Sequence, residues 1–309
     1  MSTSSSGSLI PRLRALLGFS RVVQATLSVA QPFVAALVAL HGFPSPDRLL
    51  LGLSAAWAGF LAVFALNDLM DVELDRARFA HLRGYEAFDV DSAMMRHPLA
   101  QRQVSFPLGL AWIGGLGCYA LVAAYLLSPT AAALFLLAAL LEVLYCKLAR
   151  VTPAKYLMSG AMVGVGALAG WVAMTPEIRA AEFGLLFLWM SAWEIGGRNI
   201  VNDFSDVEED ACLGIKTVPL LHGPRAAARL TFAWLVATNL AALALPLVSS
   251  LGPVYLVGAV GGGLYLLLLP GLRLLRSPTP PVALALFNRA SFYPPVVLLA
   301  LIADLFVPV

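Results

Sequence analysis

The stretch "LLLGLSAAWAGFLAVFALNDLMDVELD", residues 49–75, decides how this chain is read. Its first eighteen residues carry no charge, as a helix inside a hydrocarbon layer requires, and then four acids and an asparagine arrive within nine positions. Carboxylates at the end of a membrane helix are costly, so something positive has to meet them. The pattern returns at residue 202, where "NDFSDVEED" follows "LLFLWMSAWEIGGRNIV" and matches at six of nine positions, 135 residues downstream. Two clusters in register ask for a common ligand.

Working outward, 60% of the 309 residues are hydrophobic and 12% are charged, against about one quarter charged in soluble domains. This is the composition of an integral membrane protein. A net charge of +2, from 20 basic and 18 acidic side chains, gives no footprint for nucleic acid. Apolar segments long enough to span fall at 19–40, 48–66, 104–127, 130–146, 156–174, 181–201, 228–248, 251–271 and 286–307. The expected fold is therefore all-α, with nine transmembrane helices in a single domain over 19–309 that follows a cytoplasmic tail over 1–18. The connections 67–103 and 202–227 are long, as functional loops are, and both hold acids.

Basic residues set the orientation. With the N-terminus inside, 18 of the 20 Lys and Arg fall on the cytoplasmic tail, loops and adjoining helix ends, and only Arg48 and Arg179 lie on the far side. Both acidic clusters are then cytoplasmic, at the inner membrane in a bacterium. Cys118, Cys146 and Cys212 have neither paired nor metal-ligand spacing, so no disulfide framework is expected. His41 and His222 read as loop residues, and His81 and His97 as solvated members of the long 67–103 loop.

If 67–75 continues as helix, Asp68, Asp71 and Asp75 share a sector of about 60°, and Glu73 points away. The same spacing groups Asp203, Asp206 and Asp210 and leaves out Glu208. Magnesium suits such stripes, because it takes one or two carboxylates together with phosphate oxygens and water. Zinc does not, since neither cluster has His or Cys beside it at ligand spacing. Two acidic stripes with basic residues nearby describe a diphosphate clamp.

At this point the chain resembles the UbiA superfamily of intramembrane prenyltransferases, whose signature is NDxxDxxxD after the second helix and DxxxD after the sixth. Asn67, Asp68, Asp71 and Asp75 match the first, and Asp206 and Asp210 the second, which Asn202 and Asp203 extend. "GIKTVPLLHG", 214–223, is similar to the stretch after the second motif, and "LYCKLAR", 144–150, to the end of the fourth helix. The resemblance implies a central cavity and Mg²⁺-dependent transfer of an isoprenoid from its diphosphate. It makes the motif residues metal ligands, Lys147 and Lys216 diphosphate contacts, and Arg198 a further candidate. The chain departs from the family between the first motif and the third helix. "HPLAQRQVS", 97–105, comes after an inserted "RARFAHLRGYEAFDVDSAMMR", 76–96, with His97 where an arginine usually stands, so that Arg96 and Arg102 become candidates for the displaced charge. The insertion is either a lid over the bound diphosphate or a solvated loop.

In this scheme ionisation of a prenyl diphosphate leaves an allylic cation that aromatic faces can stabilise. Phe64, Trp171, Trp189, Trp193 and Tyr293 are the candidates, although each taken singly reads as packing or interfacial anchoring before it reads as a cavity wall. The acceptor is an aromatic or other lipid-soluble molecule. Alternatives are a terpene cyclase without separate acceptor, phosphoribosyl transfer to a polyprenyl phosphate, and a divalent-cation transporter.

Overall fold

The computed structural model describes residues 9–73, 76, 89–91, 93–95 and 97–307. Among them all regular structure is helical: α1 (Leu9–Phe19), α2 (Val22–Ser28), α3 (Ala30–Leu40), α4 (Pro46–Met70), α5 (Phe106–Leu127), α6 (Pro129–Leu148), α7 (Tyr156–Met174), α8 (Ala180–Trp193), α9 (Ile200–Ser205), α10 (Val207–Leu213), α11 (Val218–His222), α12 (Pro224–Ala244), α13 (Pro253–Gly262), α14 (Leu269–Arg276), α15 (Pro280–Ala290) and α16 (Tyr293–Asp304). Prolines in the first turn open α4, α5, α6, α12, α13 and α15, where the missing N–H has no helical partner to lose.

Eight helical runs among the described residues are long and apolar enough to cross a bilayer, not nine. The run left out is the segment anticipated at 181–201. There α8 passes without a break through a π-helical turn, Glu194–Asn199, into α9, and Glu194, Arg198 and Asn199 dilute its apolar character. Leu110, Val122, Tyr125 and Leu126 on α5 stay exposed, an apolar face that only lipid satisfies. The chain is an integral membrane protein.

The helices close on themselves. α4 packs on α5, α6 on α7, α7 on both α3 and α8, α8 on α12, α13 on α16, and α16 returns to α3. Close approach depends on small residues: a Cβ at Gly170 of α7 would strike the Pro32 backbone of α3. The core holds Trp171, Trp189, Trp193, Tyr255 and Tyr293, with their polar tips satisfied. Trp189 Nε1 donates to Tyr293 Oη (3.2 Å), Trp193 Nε1 to the Ala290 carbonyl (2.9 Å) and Trp171 Nε1 to that of Glu177 (2.8 Å).

Charges at the end remote from the motifs are structural. Asp304 accepts from the backbone N–H groups of Gly252, Val254 and Tyr255 at 2.6–3.1 Å, capping α13. Arg48 donates to the Ala173 carbonyl (2.7 Å) near the end of α7. Arg179 donates to the Val38 and Ala39 carbonyls and pairs with Glu182, a partner that holds its guanidinium above the usual range.

Candidate active site

Both acidic motifs open into one cavity of about 320 Å³. Asn67 and Asp71 line it from the first motif, and Asn202, Asp203, Asp206 and Asp210 from the second. The helices break at matching residues: α4 stops at Met70 with Asp71 at φ −96°, ψ 6°, and α9 stops at Ser205 with Asp206 at φ −109°, ψ 9°. This sparsely occupied backbone region is common at active sites and turns each carboxylate off the regular helical stripe. The anticipated stripe of Asp68, Asp71 and Asp75 is therefore not continuous helix. Asp68 is buried and turns to a cation instead of the cavity, and Asp75 lies outside the described residues. The "GI" after the second motif has a local cause. Gly214 adopts φ 68° to end α10, and the Ile215 N–H then donates back to the Asp210 carbonyl at 2.9 Å, fixing the last motif acid.

The neutralising cations come from places the motifs do not announce. Arg21 sits in a left-handed turn between α1 and α2 (φ 45°, ψ 51°), an uncommon conformation for a side-chain-bearing residue. Its Nη2 donates to Asp68 Oδ1 (2.9 Å) and Asn67 Oδ1 (3.2 Å), and its Nη1 to Asp91 Oδ2 (3.0 Å). Lys155 lies in the short 3₁₀ turn Pro153–Lys155 ahead of α7, where the Thr152 hydroxyl caps the Ala154 N–H. Its Nζ donates to Asp203 Oδ1 (3.2 Å) and Tyr145 Oη (3.1 Å). Burial raises the Asp203 carboxyl above its ordinary range, and the Lys155 ammonium pulls it back.

Arg198 reaches the cavity because the π-turn inserts an extra residue per turn, which puts Glu194, Arg198 and Asn199 all on the lining. It donates through Nη1 to Ser291 Oγ (2.7 Å) and through Nη2 to Asp91 Oδ1 (3.1 Å), and its Nε lies 3.5 Å from Glu194. His97, at φ 46°, lines the cavity with Nδ1 3.5 Å from Asp68. It is not the solvated loop residue anticipated. Glu142 accepts from Asn67 Nδ2 at 2.6 Å.

Three anticipated contacts stand elsewhere. Lys147 is exposed: the lining face of α6 runs through Phe135, Ala138, Glu142, Tyr145 and Cys146, and Lys147 projects off it. Lys216 is exposed and donates through Nζ to the Val151 carbonyl (3.1 Å), tying its loop to the end of α6. Arg102 is exposed at φ 59°, and Arg96 lies outside the described residues. Lys155, not Lys147, is the lysine that pairs with a motif acid at the cavity. The available signal was a lysine two residues into a proline-started span, since charges within membrane helices face inward and pair. Of the anticipated aromatic faces, only Phe64 lines the cavity, joined by Phe33, Phe60, Phe135 and Phe287, because the tryptophans and Tyr293 are committed to the core.

Among the described residues no three His, Cys, Asp or Glu side chains form a ready metal cage. Asp203 Oδ2 and Asn199 Oδ1 are nevertheless buried without a hydrogen-bond partner at the cavity. Buried oxygens of this kind suit a hard cation that completes its shell with phosphate and water.

Residues 28–293 match the model of the UbiA prenyltransferase family. The chain belongs to that family. A relative from Pyrococcus abyssi, named digeranylgeranylglyceryl phosphate synthase, is 27% identical over 258 residues, 80% of this chain and 84% of its own. The solved apo structure of a UbiA homologue from Aeropyrum pernix K1 superposes with a TM-score of 0.74 at 20% identity, covering 91% of this chain and 97% of that one. A UbiA homologue from Archaeoglobus fulgidus, solved with DMAPP and Mg²⁺, gives 0.63 at 16% identity over 96% and 99%. As a member of the UbiA prenyltransferase family, this protein is an intramembrane prenyltransferase.

Proposed function

We propose that the protein transfers a prenyl group from a prenyl diphosphate, with Mg²⁺, to a lipid-soluble acceptor. The observation that carries this is the polarity of the cavity. Both motifs meet Arg21, Arg198 and Lys155 at one end, and the rest is lined by α3, α4, α5, α6 and α7 with mainly apolar side chains, Gln31 and Ser159 being polar exceptions. Along α4 that apolar part runs from Asn67 back to Leu49, about 27 Å at 1.5 Å per residue, a room for an extended isoprenoid tail.

Asn67, Asp71, Asp203, Asp206 and Asp210 would hold Mg²⁺, with Asp68 and Asp75 of the same motif in support. Bound there, Mg²⁺ would neutralise charge on the diphosphate as the carbon–oxygen bond breaks. Arg21, Arg198 and Lys155 contribute fixed positive charge on the same side. Phe64, Phe60 and Phe135 keep water from the allylic carbon and offer ring faces to it. Lys147, Lys216 and Arg102 have no part in this scheme.

For the acceptor, the Pyrococcus relative's name favours a glyceryl phosphate lipid over an aromatic ring as the first compound to try. The distribution of Lys and Arg supports a cytoplasmic site and N-terminus. The test is mass spectrometry of products from purified protein with Mg²⁺ and a panel of prenyl diphosphates, with glyceryl phosphate and aromatic acceptors present or absent. A prenylated acceptor is expected. A cyclised hydrocarbon from donor alone would replace transfer by cyclisation, and no consumption of any donor would overturn both.

A further inference from the structure

The inserted stretch 76–96 has no part in the scheme above, yet one of its residues reaches the centre of the site. Val90 is 1% exposed, and its N–H donates to Asn288 Oδ1 on α15 at 3.0 Å. The Asp91 N–H donates to Asp89 Oδ1 (2.9 Å), a local turn that leaves the Asp91 side chain lining the cavity. Its carboxylate is divided between two arginines from different helical runs: Oδ2 lies 3.0 Å from Arg21 Nη1, and Oδ1 3.1 Å from Arg198 Nη2.

Several of the other nitrogens of these guanidiniums are already engaged. Arg21 Nη2 is on Asp68 and Asn67, Arg198 Nη1 is on Ser291, and Arg198 Nε faces Glu194. The nitrogens that now hold Asp91 are then among those that an incoming ligand at the cavity would meet. A phosphoryl group presents oxygens to a pair of guanidiniums much as a carboxylate does. Arg198 is buried and Arg21 partly buried, so an anion shared between the two also offsets the repulsion of like charges.

We propose that Asp91 is a resident stand-in for a phosphoryl group of the diphosphate. With no donor bound it bridges Arg21 and Arg198, and donor entry exchanges one anion for another, expelling the Asp91 carboxylate from between them. Asp91 thereby sets donor affinity, because only the fraction of molecules with its carboxylate withdrawn can accept a diphosphate. This rests on the prenyl diphosphate reading above.

The test is titration of the full-length protein in detergent, with Mg²⁺, using inorganic diphosphate as the probe. Asp91→Asn keeps the shape of the side chain and removes its charge, and should lower the Kd for diphosphate about tenfold, as expected if the bridge is closed in about nine molecules of ten. Asn288→Ala, which releases the Val90 tether and leaves Asp91 intact, should lower it by a smaller factor and serves if the first variant does not fold. Equal or weaker diphosphate binding by the variants would overturn the proposal, since Asp91 would then be holding the arginines in place for the ligand. An unsubstituted protein that binds no diphosphate would instead overturn the functional reading, and this one with it.

Discussion

Asp68 and Asp203 hold the same place in two copies of one motif, and each is buried against a cation: Arg21 at 2.9 Å in the first copy, Lys155 at 3.2 Å in the second. The copies differ in what surrounds that pair. The first ends an uninterrupted α-helix, takes its arginine from the turn between α1 and α2, and leaves Asp68 off the cavity wall. The second follows a π-turn that brings Glu194, Arg198 and Asn199 to the wall with it, and all three of its aspartates line the cavity. A repeated sequence has thus been given two kinds of support. The first copy borrows its positive charge, and the second carries much of its own.

The largest effects should be equal in the two copies. Asp71→Ala and Asp206→Ala remove the carboxylates at the matching helix breaks, and each should cut turnover by about 100- to 1,000-fold with membrane insertion unchanged, as read by product mass spectrometry and membrane fractionation. Near-normal turnover in one of them would make the second support system sufficient by itself. Next comes stability. Lys155→Ala strands a buried carboxylate and should cost about 3–5 kcal/mol, visible as a clear fall of Tm in detergent. Arg21→Lys keeps the charge and loses the fork that reaches both Asp68 and Asp91. Its donor KM should rise several-fold while the protein stays folded, so a change confined to kcat would detach Arg21 from ground-state binding. The smallest effect belongs to Lys147→Ala, which should leave Tm and turnover close to those of the parent, within about 0.5 kcal/mol, because the side chain is exposed and off the cavity.

The membrane spans and the two motifs were legible in the sequence because both are local. A run of apolar residues needs only to be counted, and "NDLMDVELD" and "NDFSDVEED" announce each other by register. The cations were not legible. Whether Lys147 or Lys155 faces the acids depends on the rotation of α6 and on a 3₁₀ turn, and both are set by packing. Arg21 needed the left-handed turn, which no glycine or asparagine marks. The tryptophans follow the packing reading that each one taken singly favoured. Size and aromaticity suit a cation cavity and a core equally, and indole N–H groups with carbonyl and hydroxyl partners settled Trp171, Trp189 and Trp193 into the core. Asp91 was hidden inside an insertion that repeats nothing else in the chain.

The return of α16 to α3 bears on how the protein is made. A chain still being synthesised has exposed both acidic motifs to its surroundings well before Pro280–Asp304 has emerged. Until then Arg198 lacks Ser291, Val90 lacks Asn288, and the first span has no neighbour on that side. The half-built bundle must therefore hold its charged interior in contact with water or lipid headgroups. The span that closes against α3 is the one that seals it.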